Sequence, residues 1–178
     1  MSTDVVLLNN RTFFNENENI FIFERLYQEG DDELFTTFSI TFGDGYNMHT
    51  LDLDFFYPKE VEQDIKCLDR FLVQIKKMID TETPPKRFKQ KYVQVVDSID
   101  QRGLFARLEY GQHAWNKILD HSLVLCEFGS GDMIWYRQEY ILQFYETMLK
   151  VMENVKKYFV KYKKLRTENR GNKIRMSE

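Results

Sequence analysis

Between Gln138 and Arg166 the chain carries one unbroken helical period, and no other stretch limits the possible folds so strongly. Ile141, Tyr145, Met148, Met152, Val155, Phe159 and Tyr162 recur at alternating spacings of four and three, which puts them on one stripe of an α-helix. Lys150, Lys157, Lys161 and Lys164 fall on the opposite side of the wheel. Glu146 with Lys150 and Glu153 with Lys157 are i,i+4 pairs in the favoured orientation. The period predicts a long helix over 138–166 with one face in a core and the other in water. The remaining chain must then supply the surface that covers the apolar face.

That remainder is rich enough to do so. The chain has 178 residues, 43% of them hydrophobic, with fifteen Phe and ten Tyr, which argues for a packed globular protein and against disorder. Along the chain, Val5 to Leu8 reads as a short strand before a polar loop, and Ile20 to Tyr27 as a strand ended by the turn residues Gly30-Asp31-Asp32. Phe38, Ile40 and Phe42 alternate with Thr37, Ser39 and Thr41. After Gly43-Asp44-Gly45, Leu51, Leu53 and Phe55 alternate with Asp52 and Asp54, so these two runs form an antiparallel hairpin with one buried face.

Pro58 opens a second helix, because its missing N–H costs nothing in the first turn. Glu60, Glu62 and Asp64 lie near its positive end and Lys76 and Lys77 near its negative end. Val61, Ile65, Leu68, Leu72, Ile75 and Ile79 form its stripe, giving a helix over 58–80 that Thr83-Pro84-Pro85 terminates. Beyond the basic connector from Lys86 to Lys91, Tyr92–Val96, Leu104–Tyr110 and Ser122–Phe128 are strand-like. Residues 113–120 extend a strand or form a helical turn, and Met133 to Tyr136 is either a short strand or the first turn of the long helix. Residues 167–178 lack an apolar period and read as a flexible basic tail.

The fold class expected is α+β: a largely antiparallel sheet packed against helices 58–80 and 138–166, in a single domain over 1–166. An offset of 86 residues lays Phe42-Gly43-x-Gly45 on Phe128-Gly129-x-Gly131 and brings the helical regions into rough register. This suggests a weak internal duplication with halves 1–82 and 91–166. The plain alternative is that hairpin turns reuse glycine for its positive φ.

The net charge of −3 conceals a polarity. Residues 1–82 carry 17 acidic and 7 basic side chains, a net of −10, whereas residues 83–178 carry 11 acidic and 18 basic, a net of +7. Such asymmetry bears on partners and self-association. Cys67 and Cys126 lie within apolar patterns and read as buried thiols of a reducing compartment, with a disulfide as the lesser reading. No signal-like start and no run of about 20 apolar residues is present, so a soluble cytoplasmic protein away from membranes is expected.

Several groups invite chemistry. Asp52 and Asp54 share a strand face, where they could hold a divalent metal, but His49 points to the other face with Leu51 and Leu53. Acids solvating an outer face are the simpler account. His113, Asp120, His121 and Cys126 suggest zinc or nucleophilic catalysis, yet no CxxC or HExxH accompanies them and Cys126 sits in an apolar strand. Gly129-Ser130-Gly131 could present N–H groups to a phosphate, but no Walker lysine or third glycine follows, and a turn suffices.

Lys156, Lys157, Lys161, Lys163, Lys164, Arg166, Arg170, Lys173 and Arg175 make the basic end of the long helix, with Tyr158 and Tyr162 interleaved. It is the best nucleic-acid candidate, set against an ordinary solvated helix end. These features favour a non-catalytic protein-binding module with no cofactor and no resident metal. It would engage a protein partner or a second copy at Lys157, Lys161 and Lys164. The Lys, Asn, Phe and Ile usage fits an AT-rich bacterium or phage, and there a small inhibitor or immunity-type protein is the specific expectation. Nucleic-acid binding by the basic helix end is the alternative, and a metal-dependent enzyme at Asp52 and Asp54 the third reading.

Overall fold

The computed structural model describes residues 5–29, 34–81, 89–95, 104–112, 119–127 and 131–175. In order the elements are β1 (Val5–Asn15), β2 (Ile20–Glu29), β3 (Leu34–Asp44), β4 (Met48–Asp54), α1 (Pro58–Ile79), β5 (Lys89–Gln94), β6 (Leu104–Gln112), β7 (Leu119–Glu127), β8 (Met133–Arg137) and α2 (Gln138–Arg175). The α+β class holds, but the strands form two antiparallel meanders, β1-β2-β3-β4 and β5-β6-β7-β8, each followed by a helix. The order of four strands and a helix thus occurs twice. Gly45 and Gly131, which correspond at the offset of 86, both adopt positive φ, at 82° and 76°.

The β3–β4 hairpin forms in the register its alternation implies. Phe38 faces Leu53, Ile40 faces Leu51 and Phe42 faces His49, all buried, while Ser39 opposite Asp52 and Thr41 opposite Thr50 occupy the outer face. Strand β1 runs to Asn15, well past the short run over Val5 to Leu8. Its polar middle gives no alternation signal because β1 is an edge strand, exposed along most of its length. At the other end, Met133–Arg137 is a strand, and α2 follows with no intervening loop.

Helix α1 begins at Pro58, after Asp54 Oδ1 has accepted the Phe56 N–H at 2.9 Å, and closes where Thr81 Oγ1 donates to the Lys77 carbonyl at 2.8 Å. Its core face is rotated slightly from the apolar stripe: Asp64, Cys67, Phe71 and Met78 are buried, and Ile65 and Ile79 only partly so. In α2 the expected stripe is buried except for half-buried Tyr145, and Phe144 and Val151 widen it. The helix continues past Arg166 to Arg175. Lys, Arg and Glu are good helix formers, and Lys164 pairs with Glu168 at 3.9 Å, so propagation there needs no apolar stripe.

Helix α2 is the common covering element. Phe144 stacks on Phe42 of β3 and meets Tyr136 of β8 and Phe71 of α1; farther along, Tyr158 meets Phe35 and Phe159 meets Phe55. Lys156 pairs with Asp69 at 2.8 Å and Lys163 with Glu62 at 2.7 Å, so the two helices run antiparallel. One apolar cluster contains buried residues of both sheets and both helices. Among the described residues no helix is long and apolar enough to cross a membrane.

Candidate binding cleft at the seam of the two sheets

The two sheets meet where the β3–β4 turn lies against β8, and the turn geometry starts with Asp44. Its Oδ1 accepts the Tyr46 and Asn47 N–H groups at 3.1 and 2.9 Å, which closes the turn, and its Oδ2 accepts the Trp135 N–H of β8 at 3.1 Å. Asn47 Nδ2 donates to the Met133 carbonyl at 2.9 Å, and the His49 ring Nε2 lies 3.3 Å from the Asp132 carbonyl. Main-chain groups of β8, an edge strand, and of Asp132 just before it are thereby met by side chains of the β3–β4 hairpin.

The β1–β2 turn closes the third side. Asn15 Oδ1 accepts the N–H groups of Asn17 and Glu18 at 3.1 and 3.3 Å, and Asn19 takes the left-handed conformation at φ 52°, which Asn tolerates better than most residues. A Cβ on Gly45 would stand 2.4 Å from the Glu18 carbonyl oxygen, so only glycine lets the two turns approach this closely. Asn19 is the one positive-φ residue other than glycine among the described residues. The positive-φ positions Asn19 and Gly45 thus lie where the two turns meet.

Between the two turns and β8 lies a cleft of about 530 Å³. Tyr46, 96% exposed, and Trp135, 38% exposed, stand over it with Arg137, Asn17 and Glu18. The Trp135 ring is held by the Arg107 guanidinium, 5.4 Å from its centroid. Arg107 Nε is in turn 2.6 Å from Glu109 Oε1, and the buried Glu109 carboxylate also accepts from Ser122 Oγ at 3.0 Å and Gln90 Nε2 at 3.2 Å. The cleft offers stacking surface, one cation, two carboxylates (Glu18 and the turn-closing Asp44) and carboxamides. Burial, and then nearby Asp44, push the hydroxyl of Tyr136, directly behind the cleft, well above the ordinary tyrosine value.

The residues singled out in the sequence lie elsewhere. Lys157, Lys161 and Lys164 share the exposed side of α2, roughly 30 to 40 Å along the helix from its start beside the cleft at about 1.5 Å per helical residue. Lys157 lies 5.2 Å from the Tyr158 ring centroid and Lys161 4.7 Å from that of Phe35. Lys156 and Lys163, which the basic run placed with them, are turned toward α1 in ion pairs. The basic cluster is thus divided.

Asp52 accepts from Ser39 Oγ and Asp54 caps the turn into α1, both on the outer sheet face, while His49 is buried on the inner one. No three-ligand site arises from this strand, and no group of three or more His, Cys, Asp or Glu able to hold a metal occurs among the described residues. The double variant Asp52→Asn, Asp54→Asn should leave divalent-metal binding unchanged by calorimetry. Micromolar binding that vanishes in the variant would restore the metal-enzyme reading.

His121 is buried, with its ring Nε2 3.4 Å from the Thr81 carbonyl. His113 and the side chain of Asp120 lie outside the described residues. Both cysteines are free; Cys67 is buried as expected, but Cys126 is only partly so. Burial pushes the Cys126 thiol up from its ordinary value, against a reactive thiolate. Gly129 and Ser130 also lie outside the described residues, and strand β8 separates Gly131 from the start of α2, so the triplet does not abut a helix N-terminus.

Sequence reasoning missed the cleft. Alternation in β8 puts Ile134 and Tyr136 inward and Trp135 and Arg137 outward, which was legible in principle, but their meeting with a turn 91 residues away was not. No protein-family model matches the chain, and no curated protein matches it.

Proposed function

We propose that the chain is a non-catalytic protein-binding module, a small inhibitor or immunity-type protein of a bacterial or phage setting, which seats an anchoring group of its partner in the seam cleft. The supporting observation is the set of Tyr46, Trp135 and Arg137 around one concave site, since Tyr, Trp and Arg dominate binding hot spots. Trp135 is braced by Arg107 and the turn backbone beneath Tyr46 is fixed by Asp44, so the ordering cost on binding falls chiefly on the exposed Tyr46 side chain. Lys157, Lys161 and Lys164 then serve as a separate cationic strip that steers an acidic partner.

Nucleic-acid binding is the lesser reading because Lys156 and Lys163 already have carboxylate partners. Self-association driven by charge polarity weakens for the same reason, since those pairs join the acidic half to the basic half within one molecule. Exposed Leu142 and Leu149 still leave an apolar flank on α2 for a second copy.

The test is affinity capture from the encoding cell, followed by calorimetry with the captured partner. Tyr46→Ala is the clean probe, as this side chain is almost wholly exposed; Tyr46→Ala and Trp135→Ala should each cost about 2 kcal/mol or more, roughly thirtyfold in affinity. Reversing Lys157, Lys161 and Lys164 to Glu should mainly slow association and alter its salt dependence. Unchanged affinity in both aromatic variants would overturn the cleft. A captured nucleic acid whose binding falls steeply with salt would favour the rival reading.

A further inference from the structure

We propose that the notch between β1–β2 and α2 is a second binding site, for a small zwitterion of the amino-carboxylate class, with Glu24 as counter-ion to its ammonium group and Lys150 to its carboxylate. Glu24 is 6% exposed on the inner face of β2, paired with Asn10 of β1 and Ile40 of β3. Among the described residues its side-chain partners are neutral: Asn154 Nδ2 donates to both carboxylate oxygens at 3.3 Å, and Asn10 Nδ2 donates to Oε2 at 3.4 Å. These are long for bonds to a carboxylate, where charge-assisted partners approach to about 2.7–2.9 Å.

The neighbouring cation on β1 does not compensate. Arg11 also lines the notch, but its guanidinium sits over the Phe21 ring, 3.7 Å from the centroid, rather than on the Glu24 carboxylate. A buried carboxylate with only neutral donors is expensive, and the effective penalty is several kcal/mol per ion. Here the carboxylate lines a cavity of about 310 Å³ whose wall includes Thr12, Thr147 and exposed Lys150. That volume is at the lower end for ligand pockets, which suits a small metabolite. A cation alone would meet Lys150 and an anion alone would meet Glu24; a molecule with both charges satisfies both.

The carboxyl group behaves as an under-compensated one. Burial raises it above its ordinary value, and the bonds from Asn154 and Asn10 only partly offset this. Because the folded-state value is raised, the favourable contribution of Glu24 is present below the ordinary carboxylate range and is lost as pH rises through the raised value. Glu24→Gln should therefore fold at neutral pH at least as well as the parent, which makes it a usable control. Ligand binding needs the ionised form, so affinity should fall as pH is lowered through that value.

The experiment is NMR titration of the full chain at neutral pH with 4-aminobutyrate, n-butylammonium and butyrate, following the side-chain amides of Asn10 and Asn154. The expected result is saturable shifts with 4-aminobutyrate, weaker ones with butylammonium, and none with butyrate. Glu24→Gln and Lys150→Gln should each weaken 4-aminobutyrate binding by about tenfold or more. Absence of shifts with 4-aminobutyrate at tens of millimolar, or binding that Glu24→Gln leaves intact, would overturn the site. Equal binding of butylammonium and 4-aminobutyrate, undisturbed by Lys150→Gln, would overturn the zwitterion assignment.

Discussion

Met148→Asp and Val155→Asp should each abolish the cooperatively folded state at room temperature. Both side chains are fully buried on the face of α2 that enters the shared core. An aspartate there must either ionise without a counter-charge or stay protonated with its hydrogen bonds unmet, and either course costs several kcal/mol. Domain stabilities are only about 5–15 kcal/mol in total, so one such cost consumes much of the reserve. Helix α2 touches β3, β8 and α1 at once, and it cannot rotate to release the new carboxylate without unpacking both sheets. Thermal melts followed by circular dichroism would check this. A folded variant with unchanged Tm would show that the stripe is a solvent-facing assembly surface.

Phe144→Ala should be the most damaging simple truncation, by about 3–5 kcal/mol. Its ring centroid lies 4.8 Å from that of Tyr136, 6.0 Å from Phe42 and 6.2 Å from Phe71, so a single side chain links the second sheet, the first sheet and the other helix. Removing it opens a cavity bounded by rings on three elements that cannot collapse together, and it forfeits three aromatic contacts besides the buried area. Urea unfolding should show a lower midpoint with an unchanged slope. Leu149→Ala, on the exposed flank of the same helix, should stay within about 0.5 kcal/mol. Equal losses at the two positions would show that Phe144 is not a junction of the core.

Local period determined the elements with strong faces. The hairpin from Leu34 to Asp54, helix α1 and the buried stripe of α2 were all legible, because each segment alternates between water and core with the spacing of its own backbone. Where that contrast is absent the sequence was silent. Strand β1 is an edge with polar residues through its middle, and the sequence beyond Arg166 carries no apolar period. Phe144 escaped the stripe for a related reason: a helix covering two sheets and a second helix buries more of its circumference than one row of residues.

The tertiary structure alone decided the rest. It joined the charge polarity into ion pairs between Lys156 and Asp69 and between Lys163 and Glu62, and it separated Lys157 and Lys161 from them. It also brought Asp44 to Trp135 across 91 positions and Glu24 to Asn154 across 130. Periodicity reports which way a residue faces, whereas a site also depends on which distant segment it faces. That second fact is set by how two sheets dock on one helix, and no local spacing encodes it.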